Sequence, residues 1–148
     1  MRGHLEAIRV GLDDIRQMPP GDIRTEAVAL GRFALDQLEA ERAIVDVFER
    51  EGERIAELRD MFRERISDPS YRNMADILRR WLGHGAADKF DTTSLEASAL
   101  LLLGALVNVH RSTWTFGAAP LGLDDDRVLA AWADQCMAVV EGLRHANS

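Results

Sequence analysis

Thiol and amine chemistry are nearly missing from this chain. Its one cysteine, Cys136, excludes an internal disulfide and a thiolate zinc site built from a single copy. That scarcity fits a reducing compartment, so a cytoplasmic location is expected. Lysine is equally rare: Lys89 stands alone among 18 cationic residues. Against 25 acidic residues the net charge is −7. The chain has no basic stripe to neutralise phosphates, so these residues are not expected to bind nucleic acid directly. The opening "MRGHLEAIRV" lacks the apolar core of a secretory signal. The longest uncharged apolar run, Ala97 to Val109, falls short of the roughly 18 residues of a membrane span, and no membrane partner is expected.

Reactive constellations are missing too. Of the four histidines, His4, His84, His110 and His145, none has another histidine three or four residues away. No helical pair can therefore hold a metal. None follows a glutamate at the spacing of di-iron bundles. There is no glycine-rich phosphate loop and no Gly-x-Ser-x-Gly elbow. Catalytic residues, metal ligands and cofactors are expected to be none. Glu49-Arg50-Glu51 and Arg63-Glu64-Arg65 mix signs as solvated helix faces do. A helix-turn-helix over Ala27 to Glu41 is rejected, because no turn or capping residue follows Gly31 and the segment is acidic.

What is present is hydrocarbon at helical spacing. Hydrophobic residues are 47% and charged residues 29%, which fits a folded chain. Its length suits a single domain over residues 1–148 that buries enough surface without staples. Leu5, Ile8, Leu12 and Ile15 share a face of a first helix, ended by Pro19 and Pro20. Asp22 is a candidate N-cap for a second, and a further stretch runs to Gly52. Ile55, Leu58, Phe62 and Ile66 form another stripe; Met74, Ile77, Leu78 and Trp81 form the next. A kink or short break is expected at "SDPS" between them, and Gly83 and Gly85 end the segment. "TSLE", Thr93 to Glu96, reads as a capping box, and "DDDR" opens a last helix. The fold class is all-α, with about five to seven helices expected.

Two helices carry too much hydrocarbon for one stripe. In "SLEASALLLLGALVNVH", Leu95, Ala99, Leu102, Leu106 and Val109 share one face. Ala97, Leu101, Gly104, Ala105 and Asn108 lie opposite, flanked by Leu100, Val107 and Arg111. In the last helix Val128, Trp132, Cys136, Val139 and Leu143 form a face widened by Leu129, Ala133, Met137 and Val140. A helix apolar on opposite sides must be covered on both. A homodimer is expected through Ala97, Leu100, Leu101, Gly104, Val107, Arg111, Val128, Trp132, Cys136 and Val139, with both helices lying wholly in a monomer core as the alternative.

The aromatic and methionine set is ambiguous between core and pocket. Phe33, Met61, Phe62, Met74, Leu78 and Trp81 would line an adaptable cavity, with Asn108 and His110 as polar groups inside it. A small apolar or amphipathic effector is the partner such a cavity would take.

These segments resemble the C-terminal ligand-binding and dimerisation domain of tetracycline-repressor-like (TetR) bacterial transcription regulators. "HLEAIRVGLDDIRQMPPGD" is similar to the connecting helix with its Pro/Gly exit. "ERAIVDVFEREGERIAELRDMFRERI" resembles a short helix, a glycine turn and a long central helix. "DTTSLEASALLLLGALVNVHRSTW" and "LDDDRVLAAWADQCMAVVEGLR" resemble the last two helices. The resemblance implies a homodimer through those two, an effector cavity between the central helices, and DNA contact only through an N-terminal helix-turn-helix. Met1 falls where the connecting helix would begin, so that head is expected outside this chain. A freestanding helical dimerisation or scaffold protein without ligand is the alternative.

Overall fold

A computed structural model describes residues 22–83 and 90–146. The expected first helix, Leu5 to Ile15, lies outside them, as do Pro19, Pro20, His4, His84 and Gly85. Among the described residues the chain is all-α and has no strand. Helix α1 spans Ile23–Gly52; α2 spans Ala56–Phe62; a π-helical turn covers Arg63–Ser67; α3 spans Asp68–Leu82. Helix α4 spans Thr92–Phe116 and α5 spans Asp125–Ala146. The π turn fuses α2 and α3, so the described residues form four helical bodies. That is fewer than the five to seven expected for the whole chain.

Local sequence sets most of the ends. The Asp22 carboxylate accepts from the Arg24 amide at 3.3 Å, the N-cap expected of it. Helix α1 then runs 30 residues, taking the second helix and the further stretch to Gly52 as one. Its second half packs against α4, and those contacts carry the helix through. Gly83, at φ 96°, ends α3 in a region open to glycine. The expected capping box at Thr93 is not formed. Asp91 is the cap instead, accepting from the Thr93 amide at 3.2 Å, and Thr92 is already helical. An aspartate two residues earlier outcompetes the threonine hydroxyl. At α5 the first of the three aspartates, Asp124, accepts from the Arg127 amide at 2.8 Å, while Asp125 and Asp126 occupy the first turn.

No break occurs at "SDPS". Proline at position 69 lacks an N–H and crowds the carbonyl one turn back. The preceding turn widens to accommodate it: the Asp68 amide reaches the Arg63 carbonyl, one residue further than in an α-helix. The helix therefore passes through the proline with its register shifted.

Helix α1 packs chiefly along α5, and α3 along α4. The core between them is made of Leu30, Ile77, Leu78, Leu95, Leu102, Leu106, Leu129, Trp132 and Val140, with Ala27, Ala99 and Ala133 where helices approach. Gly31 lies against Leu129 and Trp132 at the α1–α5 contact, where a Cβ would stand 2.6 Å from a Leu129 methyl. Trp132 is held there because its Nε1–H donates to the Leu102 carbonyl at 2.7 Å. Glu26 is the one buried charged residue among those described. It accepts from Trp81 Nε1 at 2.7 Å and from the Arg80 guanidinium at 3.0 Å, tying α1 to α3. Arg144 of α5 donates to the Trp81 carbonyl at 2.8 Å and satisfies part of the α3 end.

Candidate ligand cavity

A half-open cavity of about 320 Å³ runs along α1, between it, the fused α2–α3 body and α4. The α1 wall is one stripe at helical spacing: Leu30, Phe33, Ala34, Gln37, Leu38, Glu41, Val45 and Glu49. Phe62, Ile66, Ser67, Ser70, Tyr71, Met74 and Ile77 face it from the fused α2–α3 body; Leu103, Val107 and Arg111 complete it from α4. The volume lies at the low end of the roughly 300–1,000 Å³ typical of small-ligand pockets.

The π turn supplies Ile66 and Ser67 to the lining, and its extra residue turns those side chains away from the register of a continuous α-helix. Ser70 spends its hydroxyl on the Ile66 carbonyl at 2.6 Å, which bonds it back into its own helix. Phe62 packs on Phe48 with ring centroids 5.3 Å apart, tilted at 44°.

Polarity rises from one end to the other. Leu30, Met74 and Ile77 are buried at the floor. Glu49 and Arg111 form an ion pair at the exposed end, joining α1 to α4. Between them Gln37 contributes a buried Oε1 with no hydrogen-bond partner.

Two side chains at the polar end of α4, His110 and Arg111, meet carboxylates of α1. His110 Nε2 lies 2.8 Å from Glu39 Oε2. The Arg42 guanidinium stacks over Trp114, 4.4 Å from the ring centroid. The His110 hydrogen bond holds the Glu39 carboxyl below its ordinary value of 4.5, against a smaller opposing effect of desolvation.

Three of the eight residues expected to bind a ligand line the cavity: Phe33, Phe62 and Met74. Leu78 and Trp81 are buried in the core, and Trp81 spends its indole on Glu26. Met61 is half-buried beside the lining and not part of it; Asn108 is exposed on the outer side of α4. His110 faces Glu39 outside the cavity. Sequence reasoning passed over Gln37, Glu41 and Tyr71, and read the Leu30, Ala34 and Leu38 register as a helix face without assigning it to a cavity. The signal for the stripe was available in the Leu30–Ala34–Leu38–Val45 spacing. The signal for Gln37 was not, because a glutamine on a long helix reads as surface.

The expected dimer residues separate into groups. Ala97, Leu100 and Leu101 are exposed, and Gly104 lies beside them on the outer face of α4. Leu101 is 75% exposed and Leu100 49%. Val107 and Arg111 instead line the cavity. Trp132 and Cys136 belong to the monomer core, a correction to their placement at a dimer surface. Burial pushes the Cys136 thiol up to about 12. Val128 and Val139 are half-buried against that core. The wide apolar arc of α5 is thus mostly covered by α1, which sequence periodicity had no means of assigning.

By length and composition α4 is apolar enough to cross a membrane, a requirement that the core helix of a soluble protein also meets. Among the described residues no group of three histidine, cysteine or acidic side chains converges to hold a metal ion. No protein-family model, curated protein or solved structure matches the chain.

Proposed function

We propose that this chain is the ligand-sensing and dimerisation domain of a TetR-like bacterial transcription regulator, acting in the cytoplasm. The observation that carries the reading is the half-open, mostly apolar cavity lined by α1, the fused α2–α3 body and α4. The order of the helical segments and the uncovered face of α4 support the same reading. The regulator's DNA-reading head would lie outside these 148 residues. A small apolar or amphipathic effector would enter between α1 and the α2–α3 body. It shifts the population toward whichever arrangement of those helices it binds more tightly, and that difference in affinity is all it can transmit. The reading assigns no catalytic step and no cofactor.

A neutral hydrocarbon fluorophore, 1,6-diphenylhexatriene, tests the cavity. Saturable binding near one dye per chain is expected, with an upward shift in melting temperature. Ala34→Phe places a ring in the cavity and is expected to weaken binding at least ~tenfold, as lost apolar contact of that size implies. Absence of saturable binding, or equal binding by Ala34→Phe, overturns the ligand-sensing reading. The exposed Leu100–Leu101 face would then favour the second reading, a helical dimerisation protein without ligand.

A further inference from the structure

We infer that the cavity takes an apolar molecule with a neutral acceptor oxygen near its middle, such as a ketone or ester, held by the hydroxyls of Ser67 and Tyr71. This rests on reading the cavity as a ligand site. The hydroxyls of its lining are those of Ser67, Ser70 and Tyr71, all on the fused α2–α3 body. Ser70 is spent, because it donates to the Ile66 carbonyl four residues back at 2.6 Å. Thr113 of α4 does the same to Val109 at 2.9 Å. Ser67 does not. It sits in the π turn, where the carbonyl four residues back, that of Arg63, receives the Asp68 amide. In that widened turn its hydroxyl makes no such return bond. Tyr71 follows one turn later on the same face. Its hydroxyl likewise has no partner among the described residues. Both residues are half-buried, and neither oxygen is enclosed.

Each hydroxyl has one proton to give. A ligand oxygen with lone pairs receives it without bringing a proton of its own. The acceptor is neutral, because two uncharged donors do not offset the dehydration of an ionised group against apolar walls.

The order of residues along the wall sets where that oxygen sits. The two hydroxyls lie between Phe62 on one side and Met74 and Ile77 on the other. Phe62 precedes Ser67 by five residues, about 7.5 Å of helix. Met74 follows Tyr71 by three, about 4.5 Å. A molecule with a hydrocarbon arm the size of a phenyl ring on each side of its acceptor therefore meets hydroxyls at its centre and hydrocarbon at both ends.

Benzophenone and diphenylmethane test the assignment. They share two phenyl arms and differ in the central carbonyl, and equilibrium dialysis reads both affinities. Wild type is expected to bind benzophenone at least ~fivefold more tightly, the scale of two net hydrogen bonds. A carbonyl that found no donor would lose its water without return, and diphenylmethane would then bind more tightly. In the Ser67→Ala/Tyr71→Phe double variant the preference is expected to vanish or reverse, with diphenylmethane and diphenylhexatriene bound as in wild type. Wild type binding diphenylmethane as tightly as benzophenone, or a double variant that keeps the preference, overturns the inference. Should the double variant fail to fold, Tyr71→Phe alone removes a single oxygen and is expected to lower the preference at least ~twofold; an unchanged preference there overturns the inference too. Diphenylhexatriene binding without a benzophenone preference removes the Ser67–Tyr71 assignment and leaves the cavity standing. Failure of both diphenylhexatriene and benzophenone to bind removes the cavity reading and this inference with it.

Discussion

Several side chains here have roles set by a single partner. Glu39 is exposed, and its carboxyl is lowered first by the hydrogen bond with His110. A depressed carboxyl contributes to folding above its unfolded value, and the contribution disappears as pH falls through the folded value. The stabilisation this α1–α4 contact gives is therefore complete above about pH 4.5, the ordinary value from which Glu39 is lowered, and is lost as pH falls from there through the lower folded value. Carboxyl-detected NMR titration is expected to place Glu39 below 4.5 and to return it toward that value in His110→Ala. An unchanged midpoint in that variant would show that the contact does not persist in solution. Glu26 is the contrasting case: it is buried, and its partners Trp81 and Arg80 are supplied by α3. Its charge is tolerable because both carboxylate oxygens are hydrogen-bonded.

At the scale of elements, glycine and proline work against their usual reputations. Gly31 sits mid-helix, where glycine costs about 1 kcal/mol relative to alanine. It is there because α5 approaches too closely for a side chain, with Leu129 and the Trp132 ring in the way. Gly31→Ala is expected to destabilise the fold by about 1–2 kcal/mol net, since overpacking outweighs the gain in helix propensity. Urea unfolding measures this, and a variant more stable than wild type would mean that α1 and α5 are not so close. Pro69 likewise does not end its helix; the π turn before it absorbs the clash and supplies Ile66 and Ser67 to the cavity. Exposed ion pairs from Arg24 to Asp134 and from Arg32 to Asp126 also join α1 to α5. Each contributes little beside the buried contacts.

For the whole molecule, the question is what covers α4. Its inner face, Leu95, Ala99, Leu102 and Leu106, is buried, while Leu100 and Leu101 stand out on the other side. Fully burying one leucine stabilises by roughly 1.5–3 kcal/mol, so a partner that covers both gains substantially. A second copy is the proposed partner, and Leu101→Arg should weaken self-association at least ~tenfold, because it buries a charge that nothing pairs. Sedimentation velocity over a concentration series reads this directly. A wild-type chain that stays monomeric at high concentration would remove the dimer from the proposal.

The all-α class and the inner face of α4 followed from sequence alone. So did the Asp22 cap and the glycine stop at Gly83. Each depends on neighbours within a few residues, where helical periodicity and capping chemistry act. The assignment of Trp132 and Cys136 to the core, the passage of the helix through Pro69, and the cavity with Gln37 in its wall needed the tertiary structure. A periodic pattern says that a helix face is apolar, but not which surface meets it. Whether that surface is the chain's own helix, a cavity or another molecule depends on contacts between residues far apart in sequence.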